Sequence, residues 1–581
     1  MAMSSSVFND LRQEGEFCDA IIRVKDVEFQ IHKVILCKCS KYFLAFFRRW
    51  STPGQQVFNI SGLSADMMAL IIEFAYTGCV SVTDDNVQEL LLAADQLDVA
   101  GIVQNCCNFL EERLSIKNCI GIYQLTTSIC CSGLKHNSFC YILDHFEEVV
   151  FSQEFQQLSV ENFTAIIGRD ELNVRKECTV YEAILLWIAH SPEERKGHIA
   201  ALLSKVRLAL MSEEYLKSNV RSNQLVKKNI ECKLMARKAL NIITRRPNYG
   251  SLLCNQLARP RLPNAVLLAI GGWSGGDPTN GIEAYDIRTD SWVNVSNGHE
   301  RPRAYHGTAF LNGDIYCVGG FDRIEHFNSV RRYDPNIRIW REVASMYYRR
   351  CYVSVTVLNG CIYAMGGYDG HTRLNTAERY MPENNQWSLI APMSEQRSDA
   401  SCTTLYDKVY ICGGFNGNEC LQTAECYCPE TNQWTAIALM NNRRSGVGII
   451  AHSNHIFAVG GFDGTARLRS AEAYDPQRNT WHELSSMLSP RSNFGIDVLE
   501  GRIFVVGGFN GFNTTYDVEN YNTTTNEWSK ACDMEIFRSA LSCCVVSGLP
   551  NMAQYALPRD DLLLLHLDGE SVEVLESEES V

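Results

Sequence analysis

An arginine recurs every 47 residues through the second half of the chain, at Arg303, Arg350, Arg397, Arg444, Arg491 and Arg538, and serine follows it at Ser398, Ser445, Ser492 and Ser539. A second set of six is aromatic: Trp273, Phe321, Tyr368, Phe415, Phe462 and Phe509 each stand directly after a pair of glycines. Guanidinium forks grip carboxylates and carbonyl oxygens in pairs, and aromatic faces hold apolar side chains. Together the sets suit recognition of a protein segment. The plainer account is that whatever stands in all six units holds each unit together. Residues that break the repeat, namely Trp273, Ser274, Tyr305, His306, His326, His371, Asp399 and Phe494, are then the better candidates for specificity, because loops vary while scaffolds repeat. Bond-making chemistry finds little support. There is no nucleophile–base pair and no G-x-x-x-x-G-K-[ST] phosphate loop. The 24 cysteines contain no C-x-x-C spacing, so the half-site of a zinc ribbon or RING finger is missing. Pairs such as Cys106/Cys107 and Cys543/Cys544 sit in apolar stretches and read as reduced, buried thiols. No cofactor and no metal is expected, and the chain reads as a binding protein, not an enzyme.

The elements that must position these residues come from the same register. The glycine pairs are Gly271/Gly272, Gly319/Gly320, Gly366/Gly367, Gly413/Gly414, Gly460/Gly461 and Gly507/Gly508. Each is followed at a fixed distance by a tyrosine (Tyr285, Tyr333, Tyr380, Tyr427, Tyr474, Tyr521) and then a tryptophan (Trp292, Trp340, Trp387, Trp434, Trp481, Trp528), with a period of 47 residues and one of 48. Such a period predicts a repeat array of four-stranded, kelch-type blades. In one unit the strands fall at Tyr352–Leu358, Cys361–Met365, Thr376–Tyr380 and Trp387–Ala391, with turn residues between them. The first unit lacks a leading strand, and an orphan strand, Ala540–Val545, comes after the last tryptophan. That C-terminal strand is expected to complete the first blade and close the ring, which removes open sheet edges. Both residue sets should then face one end of the propeller.

Ahead of the repeats, alternation over Ala20–Lys25 and Val27–His32 predicts a β-hairpin, followed by a helical run Lys33–Phe47, a strand at Val57–Ile60 and a helix at Asp66–Tyr76. From Ile116 to Thr244 the pattern is helical; Val180, Ala183, Ile184, Trp187 and Ile188 fill one stripe, and Ser191-Pro192 ends it. The N-terminus, MAMSSSVFNDLRQEGEFCD, turns polar and acidic at once, and no 18-residue apolar run occurs, so neither a signal peptide nor a membrane span is expected. Net charge is −14, without a basic stripe, which argues against a nucleic-acid partner. Residues 559–581 carry eight acids against one arginine and read as a solvated, disordered tail.

The stretches CDAIIRVKDVEFQIHKVILCKCSKYF and IIEFAYTGCVSVTDDNVQELLLAADQL resemble a BTB (POZ) domain, with matches at Asp19, His32, Lys33, Ser40, Tyr42 and Phe43; NCIGIYQLTTSIC and LSVENFTAIIGRDELNV resemble the BACK domain. With the repeats, the chain is identified as a member of the BTB-BACK-kelch family. The expected fold is multidomain: an α+β BTB domain (8–115), an all-α BACK domain (116–245), a linker (246–262), an all-β six-bladed kelch propeller (263–548) and the tail (549–581). The resemblance implies a cytoplasmic adaptor in which BTB and BACK hold cullin-3 with its RING subunit, the propeller binds a protein substrate, and the chain homodimerises through the BTB domain. Phe8 and Leu11, spaced i,i+3, would face the partner copy. Many cullin-binding members carry a hydrophobic-x-Glu signature where this chain has Trp50-Ser51-Thr52; the glutamate is absent, and Trp50 is left as the candidate anchor. Stretches such as LAIGGWSGGDPTNGIEAYD and VYICGGFNGNEC resemble the germ-cell member of the family, which implies action in spermatid maturation. The alternative is a kelch scaffold that binds actin without a ligase role.

Overall fold

The computed structural model describes residues 3–49, 54–127, 129, 131–245, 255–296, 298 and 300–557. Trp50 therefore lies outside the described residues, as do most of the expected linker and the acidic end of the tail. The chain divides into two units, Met1–Pro260 and Arg261–Val581.

In the first unit the hairpin forms from Ala20–Val24 and Val27–Ile31, paired from Ala20 opposite Ile31 to Val24 opposite Val27, and Val57–Asn59 adds in parallel to the first strand. Helices Ala65–Thr77, Val87–Gln96 and Ala100–Glu112 pack the apolar side chains of this sheet into one core with Ile22, Met68, Ile71, Leu90 and Ile102. The residues that carry the family pattern are structural. Asp19 Oδ1 accepts from the Lys33 backbone N–H at 2.8 Å, and His32 holds the Tyr76 hydroxyl with its backbone N–H (2.7 Å) and Nδ1 (2.8 Å). The helical run expected over Lys33–Phe47 is two helices, Lys33–Cys39 and Lys41–Arg49. Ser40 breaks it with extended backbone (φ −144°), donating to the Leu97 carbonyl at 2.5 Å and capping Phe43 N–H at 3.1 Å. Serine competes for local backbone groups in this way wherever tertiary partners are offered.

The helical stretch includes Cys119–Thr127, Ser132–Asp144, Val160–Gly168, Glu177–His190 and Ile230–Arg245. The stripe of Glu177–His190 is buried, and Trp187 donates Nε1–H to the Leu158 carbonyl at 3.0 Å.

The second unit contains six four-stranded antiparallel sheets. Blade three shows the design: Ser354–Leu358, Cys361–Met365, Ala377–Met381 and Gln386–Ile390, paired in sequence order. The first strand of each blade lines the central channel, and the fourth is outermost. Tyrosine and tryptophan fasten a blade to the one before it at five of the six seams. Trp387 Nε1 donates to the Ala344 carbonyl (2.9 Å), while Asn385 accepts from both the Tyr380 hydroxyl and Ala344 N–H (2.9 Å each). Large side chains with one polar tip suit this seam, since the ring is buried and the tip is satisfied.

Blade one consists of Ser542–Ser547, Ala265–Ile270, Ile282–Asp286 and Ser291–Asn294 in that order, with Ser542 opposite Ile270 and Ser547 opposite Ala265. The C-terminal strand closes the first blade. The expected tail is corrected at its start, where residues 549–557 are packed. Leu549, Met552, Tyr555 and Ala556 are buried in the core of blades one and two, the Tyr555 hydroxyl donates to the Pro335 carbonyl at 2.7 Å, and Asn551 donates to the carbonyls of Pro335 and Asn336. The apolar residues of 549–557 recur at turn spacing, but the acidic run beyond them dominates the composition of this end of the chain and hid them.

Candidate functional site

The arginine set is not a binding surface. All six side chains are buried, Arg303 at 6% exposed and the other five at 1% or less. Arg350 shows why: Nη1 donates to the Gly366 and Thr376 carbonyls (2.8 Å each), and Nε and Nη2 reach Glu378 at 3.2 and 2.9 Å. The same clasp joins Arg397 to Glu425, Arg444 to Glu472, Arg491 to Glu519 and Arg538 to Glu283. Each arginine thus pins the connection entering a blade onto that blade's third strand, and its carbonyl accepts from the preceding blade, as Gly367 N–H to Arg397 O at 2.8 Å. Glycine is required at Gly366, where φ is +63° and a Cβ would be driven into that same Arg397 carbonyl. The assignment of Arg303, Arg350, Arg397, Arg444, Arg491 and Arg538 to substrate contact is therefore replaced by a structural one: a guanidinium buried in the blade wall and hydrogen-bonded to its carbonyls cannot grip a partner on the loop face.

Two residues beyond each arginine the chain reaches the channel mouth, at Tyr305, Tyr352, Asp399, Gly446, Asn493 and Ala540, each with φ between +53° and +63°. Their backbones form a closed ring of hydrogen bonds: each N–H donates to the carbonyl of the preceding member, and Tyr305 N–H to Ala540 O completes the circle, at 2.7–3.1 Å. The ring fixes two tyrosines, an aspartate, an asparagine, an alanine and a glycine around the mouth of a channel of about 420 Å³. Tyr305 and Tyr352 pack with ring centroids 4.1 Å apart. Asp399 accepts from Asn493 Nδ2 (2.6 Å) and Ser445 Oγ (3.2 Å); burial pushes its carboxyl up to about 6 against the pull of those donors and of Arg373 and Arg467. Deeper in the channel Asp497, held by Val498 and Val545 N–H at 2.7 Å, is likewise pushed up to about 6 by burial.

Around the mouth the aromatic set stays half-buried. Phe321, Tyr368, Phe415, Phe462 and Phe509 bridge to Ala304, Cys351, Ser398, Ser445 and Ser492, and Trp273 to Ser539. Three seams between neighbouring aromatics are filled. Arg373 lies over Tyr368 (4.6 Å) and Phe415 (5.2 Å), Arg467 over Phe462 (4.3 Å) and Phe509 (4.9 Å), and His326 between Phe321 and Tyr368. Arg373 and Arg467 are half-buried cations of this face, close to a cleft of about 400 Å³ that takes in Tyr352, Arg373, Asp399, Phe415 and Phe462, and Arg323, paired with Asp277, lies over Trp273 at 6.0 Å. Sequence reasoning missed Arg373 and Arg467, although the signal was present: the fifth residue after each aromatic is His, Arg, Cys, Arg or Thr in blades two to six, a position that breaks the repeat. At the loop tips Asp369 and its equivalents Asp322, Asn416, Asp463 and Asn510 cap the N–H groups two and three residues on. The residues these turns hold out are polar in blades three to five, His371, Asn418 and Thr465. In blades two and six they are Ile324 and Phe512, 89% and 90% exposed. His306 and Phe494 are buried in blade walls instead.

In the first unit the N-terminal helix Met3–Glu14 leaves Phe8 47% exposed and Leu11 partly covered. A cleft of about 230 Å³ lies between Ala100–Glu112 and Cys119–Thr127, bounded by Val87, Phe109, Leu110, Arg113, Ile122 and Glu154. Among the described residues no group of three or more His, Cys, Asp or Glu could hold a metal ion, and no helix is long and apolar enough to cross a membrane.

Three family models match the chain in order. The BTB/POZ domain matches residues 8–114, BACK (BTB And C-terminal Kelch) matches 119–221, and the Kelch motif matches six times, at 266–298, 302–347, 349–394, 396–441, 443–488 and 490–535. Similar curated proteins include kelch-like protein 3 of Bos taurus, Homo sapiens and Mus musculus, each 35% identical over 326 residues. Those alignments cover 55% of this chain and 55% of each relative, so the match spans about half the length of the relatives.

Proposed function

The chain belongs to the kelch-like family of BTB-BACK-kelch proteins, and from that premise we propose that it is the substrate-recognition adaptor of a cullin-3 RING E3 ubiquitin ligase. The observation that carries the proposal is the order of parts: a BTB fold with an exposed N-terminal helix face, a helical BACK segment, and a closed propeller whose loop face presents aromatic and cationic side chains. The BTB domain and first BACK helices hold cullin-3, through Trp50 and the cleft at Phe109, Leu110 and Ile122. Phe8 and Leu11 meet a second copy. The propeller holds a protein substrate through Trp273, Phe321, Tyr368, Phe415, Phe462 and Phe509, with Arg373 and Arg467 as its charged contacts.

The chain itself performs no chemistry in this scheme. Bringing substrate lysines and a ubiquitin-loaded enzyme onto one assembly raises their effective concentration, which is worth orders of magnitude in rate without any new catalytic group. The cytoplasm and spermatid maturation complete the proposal, supported by the stretches that resemble the germ-cell member of the family. The test is co-purification of recombinant cullin-3 N-terminal domain with the full-length chain and with Trp50→Ala. Retention by the wild type and loss in the variant are expected; no retention by the wild type, with actin co-sedimenting instead, would favour a cytoskeletal scaffold and end the adaptor proposal.

A further inference from the structure

Five of the six buried arginines have a glutamate, and the sixth does not. The glutamate stands 28 residues after Arg350, Arg397, Arg444 and Arg491, on the third strand of the blade, and Glu283 serves Arg538 across the closure. Its carboxylate also accepts backbone N–H groups of the entering connection, for example Tyr347 and Tyr348 on Glu378 at 2.7 and 3.1 Å. In blade two that register position is Arg331. Its guanidinium turns away to Glu300, at 2.9 Å, and to Glu342 at the rim. Arg301 beside it is paired with Asp322 and Glu325. Arg303 is left with the carbonyls of Gly319 and Ser329, the Ser329 hydroxyl and the face of Phe327, and among the described residues no carboxylate reaches it.

The vacated seat is a cavity of about 20 Å³ bordered by Gly271, Glu300, Arg303, His306, Arg331 and Trp340. Two N–H donors of residues on its wall, Arg303 Nε and Trp340 Nε1, are out of solvent and without a hydrogen-bond partner among the described residues; the arginine shares this with Arg491 and Arg538, whose Nη2 groups reach their glutamates instead. The tryptophan is the exceptional donor: its five equivalents all donate to a backbone carbonyl of the preceding blade, at 2.8–2.9 Å. The 48-residue period at this junction, one residue longer than the rest, accompanies that loss. His306 does not add charge, because burial and then the Arg303 guanidinium pull it down to about 3.

We propose that this seat between blades one and two binds one monatomic anion, a halide, in place of the glutamate carboxylate that neutralises the arginine in the other five blades. Size excludes phosphate, sulfate and carboxylates, since the cavity holds a single water-sized species. Charge and donor count favour an anion over water: the wall offers N–H donors to an acceptor, and two guanidiniums, Arg303 and Arg331, share the single Glu300 carboxylate there, which leaves one buried positive charge in excess. The occupant rigidifies the first seam of the propeller without being part of the loop face.

The full-length protein is melted in chloride and in gluconate at equal ionic strength, followed by tryptophan fluorescence. The propeller transition is expected to rise by about 2 °C or more in chloride, the size that binding to the folded state alone gives a domain of this length. The double variant Arg331→Glu/Glu300→Gln supplies the carboxylate covalently and is expected to lose the chloride dependence. Crystals of the wild type grown in bromide are expected to show an anomalous peak beside Arg303. Equal melting in both salts with no bromide peak would mean that water fills the seat and would overturn the proposal, as would a chloride shift that persists unchanged in the double variant.

Discussion

Arg444 and Arg373 belong to the same propeller and answer to opposite tests. Replacing Arg444 by alanine strands Glu472 in the blade wall without its counter-charge, and breaking one side of a buried pair costs about 3–5 kcal/mol. Urea unfolding should show that loss, with any loss of partners following from the damaged propeller. Replacing Arg373 and Arg467 by alanine removes cations that lie over ring faces, so stability should change by less than about 1 kcal/mol while captured substrates fall away. Asp497 gives a pH test. Its carboxyl titrates near 6 in the folded channel against about 3.9 in an unfolded chain, so its contribution is fully present below pH 4 and is lost as pH rises through 6. Asp497→Asn removes the titration but leaves an acceptor for only one of the Val498 and Val545 N–H groups, so its stability relative to the wild type should improve by on the order of 1–2 kcal/mol between pH 4 and pH 7.5, as the wild type loses stability over that range. The arginine register was legible in the sequence, and its burial was not. The glutamates recurring in the same period at Glu378, Glu425, Glu472 and Glu519 were the signal that a guanidinium already had a partner.

At the scale of elements, the strands and the closure came from the repeat, because a first unit without its leading strand and an orphan strand at the other end can satisfy each other only by pairing. What periodicity could not supply were contacts that occur once. Ser40 splits a helical pattern because the Leu97 carbonyl, 57 residues away, accepts its hydroxyl. The segment 549–557 docks because Tyr555 fills a hole between Tyr333 and Pro335. That hook comes directly after the closing strand and should hold it in place. Tyr555→Ala is expected to cost about 3 kcal/mol in propeller stability by chemical denaturation, as for other buried aromatic truncations. A chain ending before Ser542 should leave blade one a strand short and aggregate, because its unpaired edge is then open.

At the scale of the molecule, one unit offers an exposed helix face and a cleft, and the other offers a ring whose loop face carries unlike side chains on a uniform frame. The frame was readable because it repeats. The face was readable only in part, since the aromatics come after the glycine pairs while the cations between them sit at the positions where the repeat fails. The proposed adaptor is a dimer that carries cullin. Light scattering of the full-length chain mixed with recombinant cullin-3 and its RING subunit during size-exclusion chromatography tests that directly. A single peak with the mass of two chains and two cullins is expected, falling to one of each for Phe8→Glu/Leu11→Glu; a chain that elutes apart from cullin-3 at every concentration would contradict the account.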